Sequence, residues 1–512
     1  MQQRSSAAQP SPLRHPAARA VFFVRLVLLS ALGAVPACGG GDERLAVVVT
    51  VENLPPQATA LEVAARLNGK PDRTPSQAIT QGLGRFVVYL PAASEGTLEL
   101  EINALYGASC YRDSALVSLE VHPAPPRVRE VTAVMQASAT ERCPLTIALQ
   151  GPGSVSSTPS GVECSAASCR GVFPRGTAVK LTALPGRRAA PEVIWSPSCG
   201  NTPPTCSVTV GGPTQLDLRF VELLCSPSGW CQHDAKVALR KLYGVWSNGP
   251  SDVWVVGDAN TVAHLDGKAW TSLAVPADPA STHYAVASSG PRDVVVAGEL
   301  NGGGYLLAFD GTSWTQRATA PKPFRDVWID SPTGGVAVGD SSQIYVRSGS
   351  NWSGTSPSAS GYVFYSVWGT ASRVFTVATG GTIYTASPGS TTTQSVPSPT
   401  TQRLHAVHGT SDGDAWAVGL LGTLLRYSGG VWQNGPDSGT ATAETLYGLW
   451  GSGPADYWAV GDSGTILRYQ SGRWSAVSSG GLSQVQYRGV HGTSSTNAWI
   501  VGDKGAVLQY IP

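Results

Sequence analysis

The chain is short of charge. Its 35 basic and 34 acidic residues make up 13% of 512 positions, and the formal net charge is +1. Soluble domains usually carry about twice that share. So balanced a chain has no field with which to grip a polyanion, which excludes general nucleic-acid binding. Methionine is almost missing, with Met1 and Met135 the two present, and no haem or redox-metal chemistry is suggested. No acidic residue precedes Asp42, and the apolar run Leu26 to Val35 falls well short of the roughly 20 residues of a membrane helix. No Ser-His-Asp constellation, phosphate-binding loop, zinc motif or EF-hand loop occurs, so no catalytic residue, metal or cofactor is implied. Glycine and proline are plentiful, at 59 and 37, beside 42% hydrophobic residues. That mixture describes turn-rich β structure with a core, not a disordered chain or a helical bundle.

The N-terminus reads as an export signal. Arg4, Arg14, Arg19 and Arg25 precede the apolar run, the order of a signal peptide. Val35-Pro36-Ala37-Cys38, followed by Gly39-Gly40-Gly41, resembles the lipobox of bacterial lipoproteins and departs from it at Val35 and Pro36. The resemblance implies a signal peptide over 1–37, lipid on Cys38, and a Gly-rich tether over 38–43. It places the chain on the bacterial envelope, at the outer membrane or cell surface, anchored by that lipid. A signal peptidase I site with Cys38 left free is the alternative. Eight more cysteines follow: Cys110, Cys143, Cys164, Cys169, Cys199, Cys206, Cys225 and Cys231. Spacing suggests the pairs 164/169, 199/206 and 225/231, leaving 110/143, without fixing the connectivity. With no C-x-x-C and no neighbouring His, disulfides in an oxidising compartment are expected in place of zinc.

Two small β modules come next. Residues 44–143 contain the alternating runs Leu45–Glu52, Gly84–Leu90, Gly96–Ile102 and Ala115–Val121, as expected for a β-sandwich-like domain. No chemistry is read there, and a spacer role is expected. In residues 144–223 the series Gly153, Val155, Pro159, Gly161, Cys164, Cys169, Phe173, Leu181, Trp195, Cys206 and Phe220 resembles a divergent internalin B-repeat module of bacterial surface proteins. Ile194 stands where that module has Gly before the Trp. The resemblance implies a small β-grasp-like stalk without catalytic residues.

Residues 224–512 repeat. A Val-Gly pair recurs with its second residue at Gly257, Gly298, Gly339, Ala378, Gly419, Gly461 and Gly502, close to the period of about 40–45 residues of a four-stranded propeller blade. Of 15 Trp, all but Trp195 lie at or after residue 230. The seventh unit stops at Tyr510-Ile511-Pro512, before any fourth strand, while Ser226-Pro227-Ser228-Gly229-Trp230 upstream matches Gln470-Ser471-Gly472-Arg473-Trp474. The segment around Trp230 is therefore expected to complete the last blade, which would leave no long open edge. Gly461-Asp462-Ser463-Gly464 and its equivalents predict tight two-residue turns with positive φ. Asp258, Asp340, Asp462 and Asp503 in those turns are expected to accept backbone N–H bonds. The unit Val-Gly-Asp-x-Gly-Thr-Ile-Leu-Arg-Tyr…Gly-x-Trp resembles the BNR-like, WD40/YVTN-type propellers, including the Ycf48/Hcf136 photosystem II assembly factors. No unit holds an intact sialidase Asp-box.

Departures from the repeat are the better candidates for function, because the fold does not demand them. One first-strand column runs Tyr243, Tyr284, Arg325, Tyr365, His405, Tyr447, Arg488, and another Trp246, Ala287, Trp328, Trp368, His408, Trp450, His491. First strands lie nearest a propeller's axis, so both columns are expected at the channel or its mouth. His405, His408, His491, Arg325, Arg488, Tyr243, Tyr365 and Tyr447 are the expected ligand-binding set, for an anionic group or for sugars stacked on aromatic faces.

The sequence thus predicts an all-β protein: a β-sandwich-like domain, a small β-grasp-like module and a seven-bladed β-propeller. The expected function is non-catalytic binding of an envelope protein or polysaccharide through propeller loops. A polysaccharide hydrolase or lyase, and an envelope assembly factor, are the alternatives.

Overall fold

The computed structural model describes residues 25–28 and 45–512, apart from 57, 72–76, 80–82, 92, 106–109, 124, 126–127, 197–203, 356–360 and 483–484. Cys38 and Cys199 lie outside the described residues. Among those described there is no α-helix, and hence none long and apolar enough to cross a membrane. Contacts divide the chain into two compact units: Met1–Leu184 with Trp195–Arg219, and Pro185–Ile194 with Phe220–Pro512.

In the first unit, alternation builds a sandwich. Leu45, Val47, Val49 and Val51 from one sheet meet Leu61, Val63, Leu98, Leu100, Ile102 and Val117 from the other in a shared core, because alternate residues of a strand face the same side. The smaller sheet orders its strands Arg25–Leu28, Arg85–Leu90, Leu45–Glu52, Val128–Val134. The larger runs Val162–Cys164, Ser168–Pro174, Gln136–Gln150, Tyr111–Val121, Gly96–Leu105, Ala60–Leu67. The boundary expected at 143/144 falls inside the 15-residue strand Gln136–Gln150. That strand pairs with Tyr111–Val121 on one side and Ser168–Pro174 on the other, so one continuous sheet crosses that boundary. Disulfides join Cys110 to Cys143 and Cys164 to Cys169. Cys206 is also disulfide-bonded.

In the second unit, seven antiparallel sheets follow one another among the described residues. Their inner strands are Leu242–Gly249, Thr282–Gly290, Phe324–Ser331, Phe364–Gly369, Leu404–Ser411, Leu446–Gly453 and Tyr487–Ser494. Each touches the next, and the last touches the first, which closes a ring. Trp230–Gln232 pairs with Val507–Tyr510, so the upstream segment does complete the final sheet. Leu224–Cys225 adds a further strand there, and the Cys225–Cys231 disulfide ties it to its neighbour. Between blades lie Trp254, Trp416, Trp458 and Trp499, all essentially buried. Arg468 lies over Trp458 at 4.4 Å, and its Nε is 2.7 Å from Asp456.

The turns after the second strands take the tight two-residue form. Thr465 N–H bonds to the Asp462 carbonyl, enclosing Ser463 at φ 55° and Gly464 at φ 73°. The same consecutive left-handed pairs recur at Leu421/Gly422 and Lys504/Gly505. Positive φ at both central residues is what such a turn requires.

Candidate binding site at the propeller channel

The inner strands converge on a cavity of about 320 Å³, at the lower end of the ~300–1,000 Å³ typical of ligand pockets. All seven residues of the first column line it: Tyr243, Tyr284, Arg325, Tyr365, His405, Tyr447 and Arg488. They form a ring of aromatic and cationic groups. Tyr243 and Tyr284 have centroids 5.2 Å apart, and Arg325 lies 4.6 Å over Tyr284. His405 sits 5.0 Å from Tyr365 and 4.9 Å from Tyr447. Arg488 lies 4.9 Å over Tyr243 and completes the circle.

His408 and His491 do not join this lining, which corrects their expected place at the channel. The second column stands three residues after the first, an odd spacing that turns it to the other side of the strand. His491 stacks on Trp246 at 4.1 Å, and its Nδ1 accepts from Ser247 N–H at 3.1 Å. His408 Nδ1 accepts from Gly451 N–H at 3.2 Å. Each ring thus links its own blade to the next. Desolvation pushes both imidazoles down, to about 3, with His408 adding to the effect on His491.

The turn carboxylates also behave differently from expectation. Asp258 does accept a backbone bond, from Lys241 N–H. The others are held by side chains of the channel column. Arg325 makes two bonds to Asp340, at 2.7 and 2.8 Å, and Arg488 Nε donates to Asp503 at 2.6 Å. Tyr447 O–H donates to Asp462, and Tyr284 O–H to Glu299. Each pair lies 15 residues apart. The second-strand turn folds back beside the start of the first strand, so this constant offset is the sequence signal for the contacts. The two arginines expected to hold an anion already carry carboxylate partners.

Around Tyr365 and His405 the turn residues are Thr379 and Leu420, and the acidic ring is interrupted. Arg403 lies 5.6 Å over Tyr365. Burial first, and then Arg403, pushes His405 down to about 4 against the pull of Asp462. Leu421 and Tyr362 are exposed in this sector, at 61% and 42%.

One lining residue was not anticipated. Asp326 occupies a column that reads Gly244, Ala285, Ser366, Ala406, Gly448 and Gly489 in the other blades. It supplies the lining's carboxylate, and it breaks a run of small residues in the alignment. Its oxygens accept from Val327 N–H and, across the blade boundary, from Val367 N–H, both at 2.8 Å. Burial pushes its carboxyl up to about 6, against those bonds and one from Ser366. Ser366 makes the equivalent link onward, its hydroxyl accepting from Val407 N–H.

Asp340, Asp462, Asp503 and Glu299 are each engaged by an arginine or tyrosine of the channel column. The seven-sheet ring makes the second unit a β-propeller. No protein-family model and no curated protein matches the chain. Similar solved structures include Ycf48 bound to a D1 peptide, at 19% identity over 57% of this chain and 97% of that one, TM-score 0.48. Ycf48 from Cyanidioschyzon merolae gives 17% identity over 56% and 99%, TM-score 0.46. Virginiamycin B lyase from Staphylococcus aureus gives 13% over 55% and 98%, TM-score 0.46.

Proposed function

We propose that this chain is a non-catalytic binding protein of the cell envelope whose propeller docks a protein partner at the channel mouth. The carrying observation is the convergence of seven first-strand side chains on one cavity, beside a sector with exposed Leu421 and Tyr362 and with Arg403 over Tyr365. Aromatic and arginine side chains in a part-apolar setting are the usual anchors of protein interfaces. The test is capture from envelope extracts with the full chain and with Tyr365→Ala and Arg403→Glu. A partner retained by the parent and lost in both variants supports the reading; equal capture by all three ends it.

Envelope placement rests on the arginine-flanked apolar run, the lipobox-like segment ending at Cys38, and the disulfides, which persist in oxidising compartments. Incorporation of labelled fatty acid that Cys38→Ala abolishes is the expected result.

A further inference from the structure

A second concavity lies wholly in the first unit, on the face of the large sheet turned away from the sandwich core. Alternate residues place it there: Glu62 and Arg66 oppose Leu61 and Val63, and Glu101 and Asn103 oppose Leu100 and Ile102. Arg142 and Arg170 complete the polar lining from the next two strands, and Ser160–Glu163 roofs it. The cavity measures about 410 Å³.

The sheet curls around this space. Ala60–Leu67 and the Val162–Cys164/Ser168–Pro174 hairpin stand at opposite ends of the strand order. Yet Arg66 reaches Glu163 at 2.8 Å and Arg170 reaches Glu62 at 2.6 Å. Arg142 lies 3.6 Å from Glu101. Tyr111 O–H donates to Glu62 and its oxygen accepts from Arg170 at 2.7 Å. Glu62 itself is buried, at 2% exposure. Partly exposed pairs such as Arg66–Glu163 add little to stability, and for the buried Glu62 an apolar residue of similar volume would serve stability as well.

What the trough leaves unmet defines what it takes. Three arginines balance three glutamates, so no net charge is asked of a ligand. Asn103, 3% exposed, has an Oδ1 without a hydrogen-bond partner, and so have the Nε–H groups of Arg142 and Arg170. One acceptor and two donors in the lining lack a protein partner, each costly to leave unpaired when buried. A ligand must therefore donate and accept within a few ångströms while staying neutral, which is the chemistry of adjacent hydroxyls. Leu116, 74% exposed at the rim, offers an apolar surface to a ring's C–H face.

We propose that this trough is a binding site for a neutral saccharide, with Asn103, Arg142 and Arg170 reading its hydroxyls. The site is independent of the propeller, and so is its test. Calorimetric titration of the full chain would use glucose, galactose, mannose and N-acetylglucosamine, each as monosaccharide and as a short homo-oligosaccharide, with glycylglycine as a zwitterionic control. At least one saccharide is expected to bind, and at least tenfold more weakly to Asn103→Leu. Because that variant disturbs a buried position, Ser114→Trp serves as the second: it fills the trough from a partly exposed site and is expected to abolish binding. Val431→Ala, at an exposed propeller position outside the channel, should leave affinity unchanged. Binding of the monosaccharide alone would assign a free sugar, and binding of the oligosaccharide alone a glycan chain. No binding across the panel, binding of glycylglycine in place of any sugar, or binding indifferent to both trough variants would overturn the proposal.

Discussion

Charge follows different rules in the two units. In the propeller, four ion pairs recur at short offsets within one blade, 15 residues for Arg325–Asp340 and Arg488–Asp503 and 12 for Arg426–Asp414 and Arg468–Asp456, while Arg347–Asp293 joins neighbouring blades across 54. In the first unit, Arg66 finds Glu163 across 97 residues and Arg170 finds Tyr111 across 59. A pair that recurs with the repeat serves the ring, holding a turn to its inner strand in the blades that carry it. A set of pairs that occurs once, around a polar trough, is not demanded by any repeat.

The sharpest way to break this contrast is to remove a wedge. Trp458→Ala deletes a fully buried ring between two blades and should cost about 3–5 kcal/mol. Leu116→Ala, at the exposed rim of the trough, should stay within about 0.5 kcal/mol. Denaturant unfolding reads both, and similar losses would erase the distinction between packed ring and open trough.

The disulfides give the next contrast. Cys110–Cys143 closes a separation of 33 residues and Cys225–Cys231 one of 6. On chain entropy, replacing the first pair by Ser should cost about 4 kcal/mol and the second about 2 kcal/mol. Melting each unit's transition separately measures the difference.

Acid sharpens the picture inside the propeller. His408 and His491 fall to about 3 and His405 to about 4, from an ordinary 6.5. The unfolded chain protonates them first, so their contribution is present above pH 6.5 and is lost as pH falls toward 3–4. Asp326 has the opposite sign. Its folded value, about 6 against 3.8, means that stability is lost as pH rises from 3.8 to 6. Asp326→Ser, which copies the Ser366 link, should raise stability at pH 8 by on the order of 1–2 kcal/mol. At pH 4 the gain should vanish. Thermal melts at the two pH values decide, and an equal effect at both would deny the ionisation cost.

A smaller gain belongs to Leu421, held at φ 53° on an exposed turn. Leu421→Gly should gain up to about 1 kcal/mol by relieving the left-handed strain. If Leu421 anchors a partner, the same change should weaken capture while the melting temperature rises.

The ring was legible because each blade restates it. Seven Val-Gly pairs or their near equivalents, Ala297-Gly298 and Val377-Ala378, fix the second strands, and the missing fourth strand after Tyr510 pointed back to Trp230. The channel column was readable for the same reason, and Asp326 stood open to notice as a carboxylate among glycines and alanines. His408 and His491 were misplaced because a column in an alignment does not say which side of a strand it faces, and a bulge between Leu446 and Gly448 and its equivalents shifts the register. The trough was invisible. Its residues come from strands far apart in the chain, and alternation there says which positions leave the core without saying that the sheet bends to bring them together.

Ring closure has a consequence in time. Trp230 can meet Tyr510 only when the last strand exists. A ribosome makes the chain from its N-terminus, so the segment around Trp230 must wait for nearly the whole repeat to be translated. Until then two apolar faces lie bare, on the first sheet and on the newest one. Nascent chains are thus most prone to stick to one another late in synthesis, and a stop a few residues short would strand all seven blades in that state.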